Sequence, residues 1–449
     1  AGDPERRGRD LTPLGGARAG NADGSIPAWL GPAAYPPDTR SLTLPAIRRL
    51  WREDPQAYTE LLLPNPGALQ FVVSGRNAER YAAQLTAGHR ALLDKHESFK
   101  MRVFPTRRYS FVPEQINAAT RRNAVAAKMV GTDIIEGARM GTPFPLPRNG
   151  AEVIWNHRLR YRGGNGRQHA TNLVVRSSRG FITIKFVADA LFRYANIDPD
   201  MQHDSLNFVI RQKMLAPARA EGVEFIMHEH RTLQGRQAWM YRPGSSTVKR
   251  MPEMGYDTPN RTSGGLVFID QQDMFNGPLD RYQWRLVGKR EMLMPGSSVQ
   301  LGSPLTPYED VITSDHLNTD LARYELRRVW VVDAELKEGQ SHSFARRRFY
   351  VDEDSWIILA VDNYDSRGQL WRFQEAHAIT LPFAATTWLL PAVYYDLDKG
   401  RYVVQGLYSE EEPLEFGTRF APDHFSVEAL QQAVAAEDKS GFWNRLFGG

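Results

Sequence analysis

The stretch FYVDEDSWIILAVDNYDSRGQLWRF, Phe349 to Phe373, sets acidic side chains among large apolar ones, and two readings compete for it. Asp352, Glu353, Asp354, Asp362 and Asp365 form either a catalytic or metal-binding cluster or the turns between strands. Asp352, Glu353 and Asp354 fall between Val351 and Ser355, and Asp365, Ser366 and Arg367 fall between Tyr364 and Gly368. Both are tight-connection sequences, in which Asp and Ser side chains bond the local backbone and Gly accepts positive φ. Asp362 lies on a strand near its end. The stretch therefore reads as a three-strand meander whose acids are structural.

The strand between those turns carries more information. On WIILAV, Trp356, Ile358 and Ala360 should face one way and Ile357, Leu359 and Val361 the other. VWVV behaves alike, with Trp330 and Val332 opposite Val329 and Val331. A sheet with one solvated face alternates apolar and polar residues, and these strands do not, so something covers each face. N-terminal helices and an arm could cover one. On the other, a curved sheet would enclose either a packed core or an apolar cavity.

Outward from this stretch, short β-rich runs begin near Arg158 and include TNLVVRS, GFITIKFVADALF, RYQWRLVGKREML and RYELRRVWVVDAEL. Connections this short imply antiparallel pairing, because parallel strands need longer crossovers. Before them come helical signals: Ser74 ahead of GRNAERYAAQL, Thr86 ahead of AGHRALLDKH, and Pro113 opening PEQINAATRRNAVAAKMV. The loop GTPFPLPRNG closes this helical part near Gly150. The first forty residues, rich in Gly, Pro, Arg and Asp, read as an extended arm pinned by Ile26, Trp29 and Leu30. A last helix starts near Val427. The expected class is α+β, mainly β. Residues 1–150 form the arm and a helical lid segment (the lid itself running from about Ser74 to Gly131), 151–425 the sheet body, and 426–449 a C-terminal helix with an aromatic tail, all in one structural unit.

The chain of 449 residues is 42% hydrophobic, enough for a large core, and has no apolar run long enough to span a membrane, so a soluble or peripheral protein is expected. It contains no cysteine, which excludes disulfides, thiolate metal sites, a Cys nucleophile and lipid attachment to an N-terminal Cys. That composition is compatible with an oxidising envelope compartment. The start at Ala-Gly-Asp suits a mature form freed of a signal peptide. The formal charge is +4 with Arg scattered along the chain, so neither a basic stripe nor a reader motif points to nucleic acid.

No short motif carries catalysis. His228 and His230 share one face of a strand, with Glu229 opposite, but two ligands without a third do not make a metal site. GNADGS lacks the spaced acids of a calcium loop, and RGGNGR precedes a strand rather than a helix, which makes it a turn rather than a phosphate cradle. The two GSS triplets, at Gly244 and Gly296, sit beside Pro with no recognisable His partner. No catalytic residue, metal or cofactor is assigned. Aromatic residues punctuate the strands. Trp239, Tyr241, Trp284, Trp330, Trp356 and Trp371 are candidates to line an acyl-sized cavity, against the alternative of ordinary core packing. In the tail, Phe442, Trp443 and Phe447 are candidates for contact with a partner or a membrane, against docking on the body.

LTPLGGARAGNADGSIPAW, FPTRRYSF, GTPFPLPRNGAEVIWNHRLRYRG, FIDQQDMFNGPLDRYQWRLVGKREML, HLNTDLARYELRRVWVVDAELKEG and RRRFYVDEDSWIILAVDNYDSRGQLWRF together resemble the domain-of-unknown-function 1329 family of Gram-negative envelope proteins, placed with the outer-membrane lipoprotein-sorting LolA/LolB-like folds. The resemblance implies a strongly curved antiparallel half-barrel with helices closing its open side over an apolar cavity. It also implies work beside envelope transport systems, including an outer-membrane protein and a transporter of the resistance-nodulation-division (RND) type. One departure is visible: a basic run is expected after the Tyr-x-Pro-Gly turn, yet YRPGSSTVKR places Ser245 and Ser246 before Lys249 and Arg250. The leading expectation is a periplasmic, non-catalytic carrier of a lipid or other hydrophobic molecule. The alternatives are a structural adaptor of an RND transporter with a filled core and, behind it, an envelope hydrolase.

Overall fold

A computed structural model of the chain describes residues 10–433 apart from 177–179, 232–234, 246 and 254. Five helices matter to the architecture: α1 (Leu44–Glu53), α2 (Pro55–Leu62), α3 (Ala87–Lys95), α4 (Glu114–Ala126) and α5 (Gly150–Arg158). Their starts follow capping chemistry. Asp54, Thr86 and Asn149 accept the backbone N–H of Ala57, His89 and Glu152 at 3.1, 3.0 and 2.9 Å. The α5 helix lies just past the point where the sequence closes the helical part. All nine of its residues are buried, so it has no polar face from which to read a helical period.

Strands β1 (Phe71–Val73) and β2 (Met101–Val103) lie among the helices, and β3 (Lys128–Val130) with β4 (Ile134–Glu136) forms a separate hairpin. The body opens with β5 (Asn165–Val175), β6 (Phe181–Phe192), β7 (Leu206–Ala216), β8 (Glu224–His230), β9 (Arg236–Tyr241) and β10 (Lys249–Arg250). It resumes with β11 (Tyr282–Pro295), β12 (Tyr324–Leu336), β13 (Arg346–Asp352), β14 (Ile358–Tyr364), β15 (Leu370–Leu381), β16 (Thr386–Asp396), β17 (Arg401–Leu407) and β18 (Glu415–Phe416). These are two antiparallel meanders joined in one open sheet of 16 strands, because β17 pairs with β5 through Val403 and Val174. The path runs from β10 to β5, crosses to β17 and descends to β12, which pairs with β11 on its far side. A parallel link, Tyr324 with Val103, attaches β1 and β2. The chain is thus mainly β, with a large antiparallel sheet covered by helices and an arm.

Register defines two faces. Val332, Phe349, Val361, Gln374, Tyr394, Val403, Val174 and Ile182 are successive cross-strand partners on face A. Val331, Tyr350, Ala360, Glu375, Val393, Val404 and Leu173 follow one another on face B. Over β11–β17, face A is sealed by α5, through Val153, Ile154 and Trp155, and by a connection bringing Leu266, Val267, Phe275 and Leu279. Face B is sealed by α3, through Leu92 and Leu93, by Phe99 and by Leu301, Val311 and Leu317. Helices α1 and α2 close one end of the sheet with Ile47, Trp51, Tyr58 and Leu62 against Ile379, Leu381 and Leu390.

Alternation fails at one point. Ile357, Leu359 and Ala360 pack on face B and Trp356, Ile358 and Val361 on face A, so Ala360 and Val361 are both reversed from their expected sides. Between β13 and β14, Val351 pairs with Ile358 and Tyr350 with Ala360, leaving Leu359 as the extra residue of a bulge.

The acids of the opening stretch are structural, and they reach beyond their own turns. The Arg108 guanidinium, 2% exposed, donates to Asp354 at 2.8 and 2.7 Å and to the carbonyls of Ala17, Ala19 and Pro27 at 2.6, 3.2 and 3.3 Å. Glu353 accepts from Lys289 and Arg328 at 2.8 and 2.9 Å, and Asp352 from Arg327 at 2.9 Å. Asp362 accepts the Gly88 and Ala87 N–H groups at the start of α3. The arm is therefore held mainly by hydrogen bonds to Arg108 and the turn. Ile26 is buried and the Trp29 indole donates to the Ser110 carbonyl, as anchors should, but the Leu30 side chain is 49% exposed and the residue is tied to the body through its backbone N–H, which donates to the Arg108 carbonyl.

Candidate hydrophobic-ligand site

Face A is sealed over β11–β17 and only half-covered over β6–β9. There Ala190, Ile210, Met227 and Ala238 stand side by side on adjacent strands, and the next row is Ala188, Gln212, Phe225 and Met240. All eight are half-buried and seven are apolar. Half-buried Phe186 and buried Met214 continue the strip beyond. Six residues separate Phe186 from Phe192 at the other end, about 20 Å of strand, and four strands span about 15 Å. The sequence produces this because β6–β9 do alternate. Their opposite side chains are largely polar, with Arg167 bonded to Asp189 and Arg211 to Glu224 on face B.

The strip ends in arginines. Its last row is Phe192, Phe208, Glu229 and Arg236. The Arg162 guanidinium lies 5.2 and 5.9 Å from the Phe192 and Phe208 ring centres. Arg236 donates to Glu229 at 2.7 Å, and Arg158 approaches the same carboxylate at 3.6 Å. Arg160 and Arg162 share Asp273, whose carboxylate is 29% exposed, at 2.5 Å each. Burial works against ionisation of Asp273, but Arg160 and then Arg162 outweigh it and hold the carboxyl below its ordinary range. Burial, followed by the charge of Arg160, pushes Arg162 down to about 10. Both causes also push His157 down to about 3. The His157 ring accepts Ile358 N–H at Nδ1 (3.1 Å) and donates from Nε2 to the Asp273 carbonyl (2.7 Å).

The model of the family described as Protein of unknown function (DUF1329) matches residues 72–431. The chain belongs to that family. A further relative, Uncharacterized protein PA3922 of Pseudomonas aeruginosa, is 36% identical over 439 residues, covering 96% of this chain and 93% of the relative. Among solved structures, the chain is similar to a DUF1329 family protein from Desulfovibrio piger at 14% identity and TM-score 0.40, over 59% of this chain and 91% of that one. It is also similar to the LolA superfamily protein NE2245 from Nitrosomonas europaea at 11% identity and TM-score 0.35, over 62% and 96% of the two chains.

In this DUF1329 protein the six aromatic candidates fall in three places, none of them among the eight residues of the strip. Trp330 and Trp356 stack at 6.2 Å in the sealed core of face A, with the Trp356 indole donating to the Leu14 carbonyl at 3.0 Å. Trp284 packs in the same core, 5.6 Å from Phe349. Trp239 and Tyr241 lie on face B beside Ile226 and Leu430, under the start of the helix over 427–433. Trp371 meets Phe344 at 5.6 Å and the Arg372 guanidinium at 4.3 Å. Phe442, Trp443 and Phe447 lie outside the described residues. His228 shares face B with His230 as expected, and its Nε2 bonds the Phe425 carbonyl at 2.8 Å. Among the described residues no group of three His, Asp or Glu side chains could hold a metal.

Sequence reasoning also missed a buried constellation. Ser298 Oγ lies 3.0 Å from His377 Nδ1, and His377 Nε2 lies 3.6 Å from Glu375 Oε1, the residue types of a hydrolytic triad but with the ring nitrogens reversed and the acid beyond hydrogen-bond reach. All three residues are 0% exposed. Glu375 is further engaged by His89, Tyr324 and Tyr395 at 3.1, 3.2 and 3.0 Å, and Ser298 Oγ already accepts Arg323 N–H at 3.0 Å. Nor do these residues line the cleft of about 210 Å³ between the arm and α4, which is bordered by Thr12, Leu14, Trp29, Phe111, Asn117 and Asp354. That cleft is smaller than the roughly 300–1,000 Å³ usual for ligand pockets.

Proposed function

We propose that this DUF1329 protein is a non-catalytic carrier for a lipid or other hydrophobic molecule in the periplasm of a Gram-negative cell, serving outer-membrane or envelope transport. One observation carries the reading: seven apolar side chains, contiguous across four strands, left half-covered at the margin of the sealed core, against which Phe225 and Met240 already pack. Contiguous apolar surface of this kind marks interaction sites in soluble proteins. Burying an acyl chain against it is worth roughly 0.8 kcal/mol per methylene. A dozen methylenes would then give about micromolar binding after association costs are subtracted. The cysteine-free composition, the Gram-negative source of the relative, and a set of described helices none of which is long and apolar enough to cross a membrane all fit that setting.

A second reading, an adaptor of an RND-type envelope transporter, draws on the filled core over β11–β17, with the strip as a protein-binding face and Phe442, Trp443 and Phe447 as a further contact. Native mass spectrometry of the purified protein, before and after organic extraction, separates the two. The carrier reading expects a stoichiometric hydrophobic ligand that is lost on extraction and absent from a Met227→Asp variant. An empty protein that also takes up no fluorescent fatty-acid analogue would defeat it in favour of the adaptor.

A further inference from the structure

We infer that the ligand is an anionic amphiphile, whose chain lies along the Ala188–Met240 rows and whose acidic headgroup, a phosphate or carboxylate, seats at the Arg158, Arg162 and Arg236 end of the strip. The inference rests on the carrier reading and sharpens it. Its first support is placement. The arginine end of the strip on face A is built by register: Arg236 stands opposite Glu229, Glu229 opposite Phe208, and Phe208 opposite Phe192, beneath the Arg162 guanidinium, while the far corner has the single exposed Lys249 opposite Met240. A chain lying in the two apolar rows therefore ends beside arginines.

The second support is charge. Arg158, Arg160, Arg162 and Arg236 meet the carboxylates of Glu229 and Asp273, with Asp133 near Arg158 as a third. Four cations against three anions leave an excess positive charge in a place where Arg158, Arg160 and Arg162 are 3, 6 and 6% exposed. The Nε–H groups of these three arginines are buried without a partner. Buried guanidinium groups are costly unless paired and fully hydrogen-bonded, so an arrangement left one anion short is poised to accept one. Arginine is also the side chain whose planar fork suits phosphate and carboxylate oxygens. The partly exposed Asp273 carboxylate and the Arg236 side chain, 15% exposed, place this end at the water boundary, where a headgroup belongs.

The test is displacement of a neutral naphthylamine probe from the full chain by hexadecyl phosphate, hexadecanoate and hexadecanol, each kept below its aggregation limit. The expected result is that the two acids displace the probe at concentrations about tenfold or more below the alcohol. Arg162→Gln and Arg236→Gln should each shrink that preference to within about threefold. Arg236 is the more exposed of the two, so its variant reports even if Arg162→Gln fails to fold. Equal displacement by acid and alcohol in the unaltered protein would overturn the headgroup inference and leave the carrier reading standing. Displacement by inorganic phosphate alone at the same concentrations would overturn it in favour of a free-anion site. No displacement by any of the three chains would remove the carrier reading, and this inference with it.

Discussion

Acidification should destabilise this fold through His157, by an amount the geometry sets. The ring is 0% exposed and neutral, since Nδ1 accepts Ile358 N–H at 3.1 Å while Nε2 donates to the Asp273 carbonyl at 2.7 Å. A proton on Nδ1 would turn away the Ile358 N–H, leaving the Trp356 carbonyl at 3.1 Å to accept it, and would set a second positive charge 3.3 Å from Arg160. Burial and Arg160 therefore push the folded-state pKa down to about 3, against about 6.5 in the unfolded chain. Between those values the unfolded chain carries a proton that the folded one does not, so stability is present above about pH 6.5 and is lost as pH falls. The slope is about 1.4 kcal/mol per pH unit, which amounts to about 3 kcal/mol between pH 7 and pH 4 for this one residue. Asp273, held ionised in the fold by the arginines, takes up a proton in the unfolded chain only near pH 4, and it is common to the two proteins compared, so it does not confuse the difference between them. The assay is urea unfolding followed by circular dichroism at four pH values, for the unaltered protein and for His157→Gln, which offers one donor and one acceptor but no titration. The two stability lines should converge by about 3 kcal/mol as pH falls from 7 to 4. Parallel lines, whatever the offset between them, would refute a neutral, buried His157.

Two further perturbations test the packing around the sheet. Arg108→Met removes the buried partner of Asp354 and the donor to three arm carbonyls, so it should cost about 3–5 kcal/mol in urea unfolding and speed protease cleavage within residues 10–35; an arm as protected as before would show that it is held by something else. Gly88→Ala would place a Cβ 1.9 Å from the Phe373 ring and should cost about 1–3 kcal/mol by thermal unfolding, whereas Gly131→Ala, with no atom within 4 Å and φ of +63°, should cost only about 1 kcal/mol of backbone strain. Equal costs would mean that α3 can shift away from β15 freely.

Much of the fold was legible, for a reason visible in particular residues. Turn chemistry at Asp352–Ser355 and Asp365–Gly368 is local, so the meander of β13, β14 and β15 could be read directly. The absence of alternation in VWVV reported burial on both sides, and both sides are buried. What failed to show were features decided by distant contacts. The bulge at Leu359 comes from pairing with Tyr350 and Val351, and α5 is buried all round by a sheet it precedes in sequence. The partners that Asp354 and Asp362 find, Arg108 and the start of α3, lie more than 240 residues away.

The candidate strip was harder to see because large aromatic residues drew attention first. Large aromatics report burial, and here Trp284, Trp330 and Trp356 are spent on the sealed half of face A. The open half is lined by Ala, Ile, Met and one Phe, whose signal is pattern rather than size. In β6–β9 small or flexible apolar residues alternate with largely polar ones (Ala188 beside Asp189, Ile210 beside Arg211, Met227 beside His228), while in β12 and β14 they do not alternate. Strict alternation on a strand means that one face is not sealed by the protein's own core. When the alternating face is apolar toward the same side as a neighbouring sealed core, two outcomes are available: the core continues, or the protein leaves room for something else. The buried polar ties on the sealed side, such as Arg347 to Asp270 and Asn363 to Gln374, fix that half in one arrangement. The described strip beyond it offers almost none, only Gln212 among eight side chains, and its methionines are flexible enough to repack against different shapes. A rigid, polar-stitched half supporting a plain apolar half is what a carrier needs, because the first preserves the strip's shape when the second is empty.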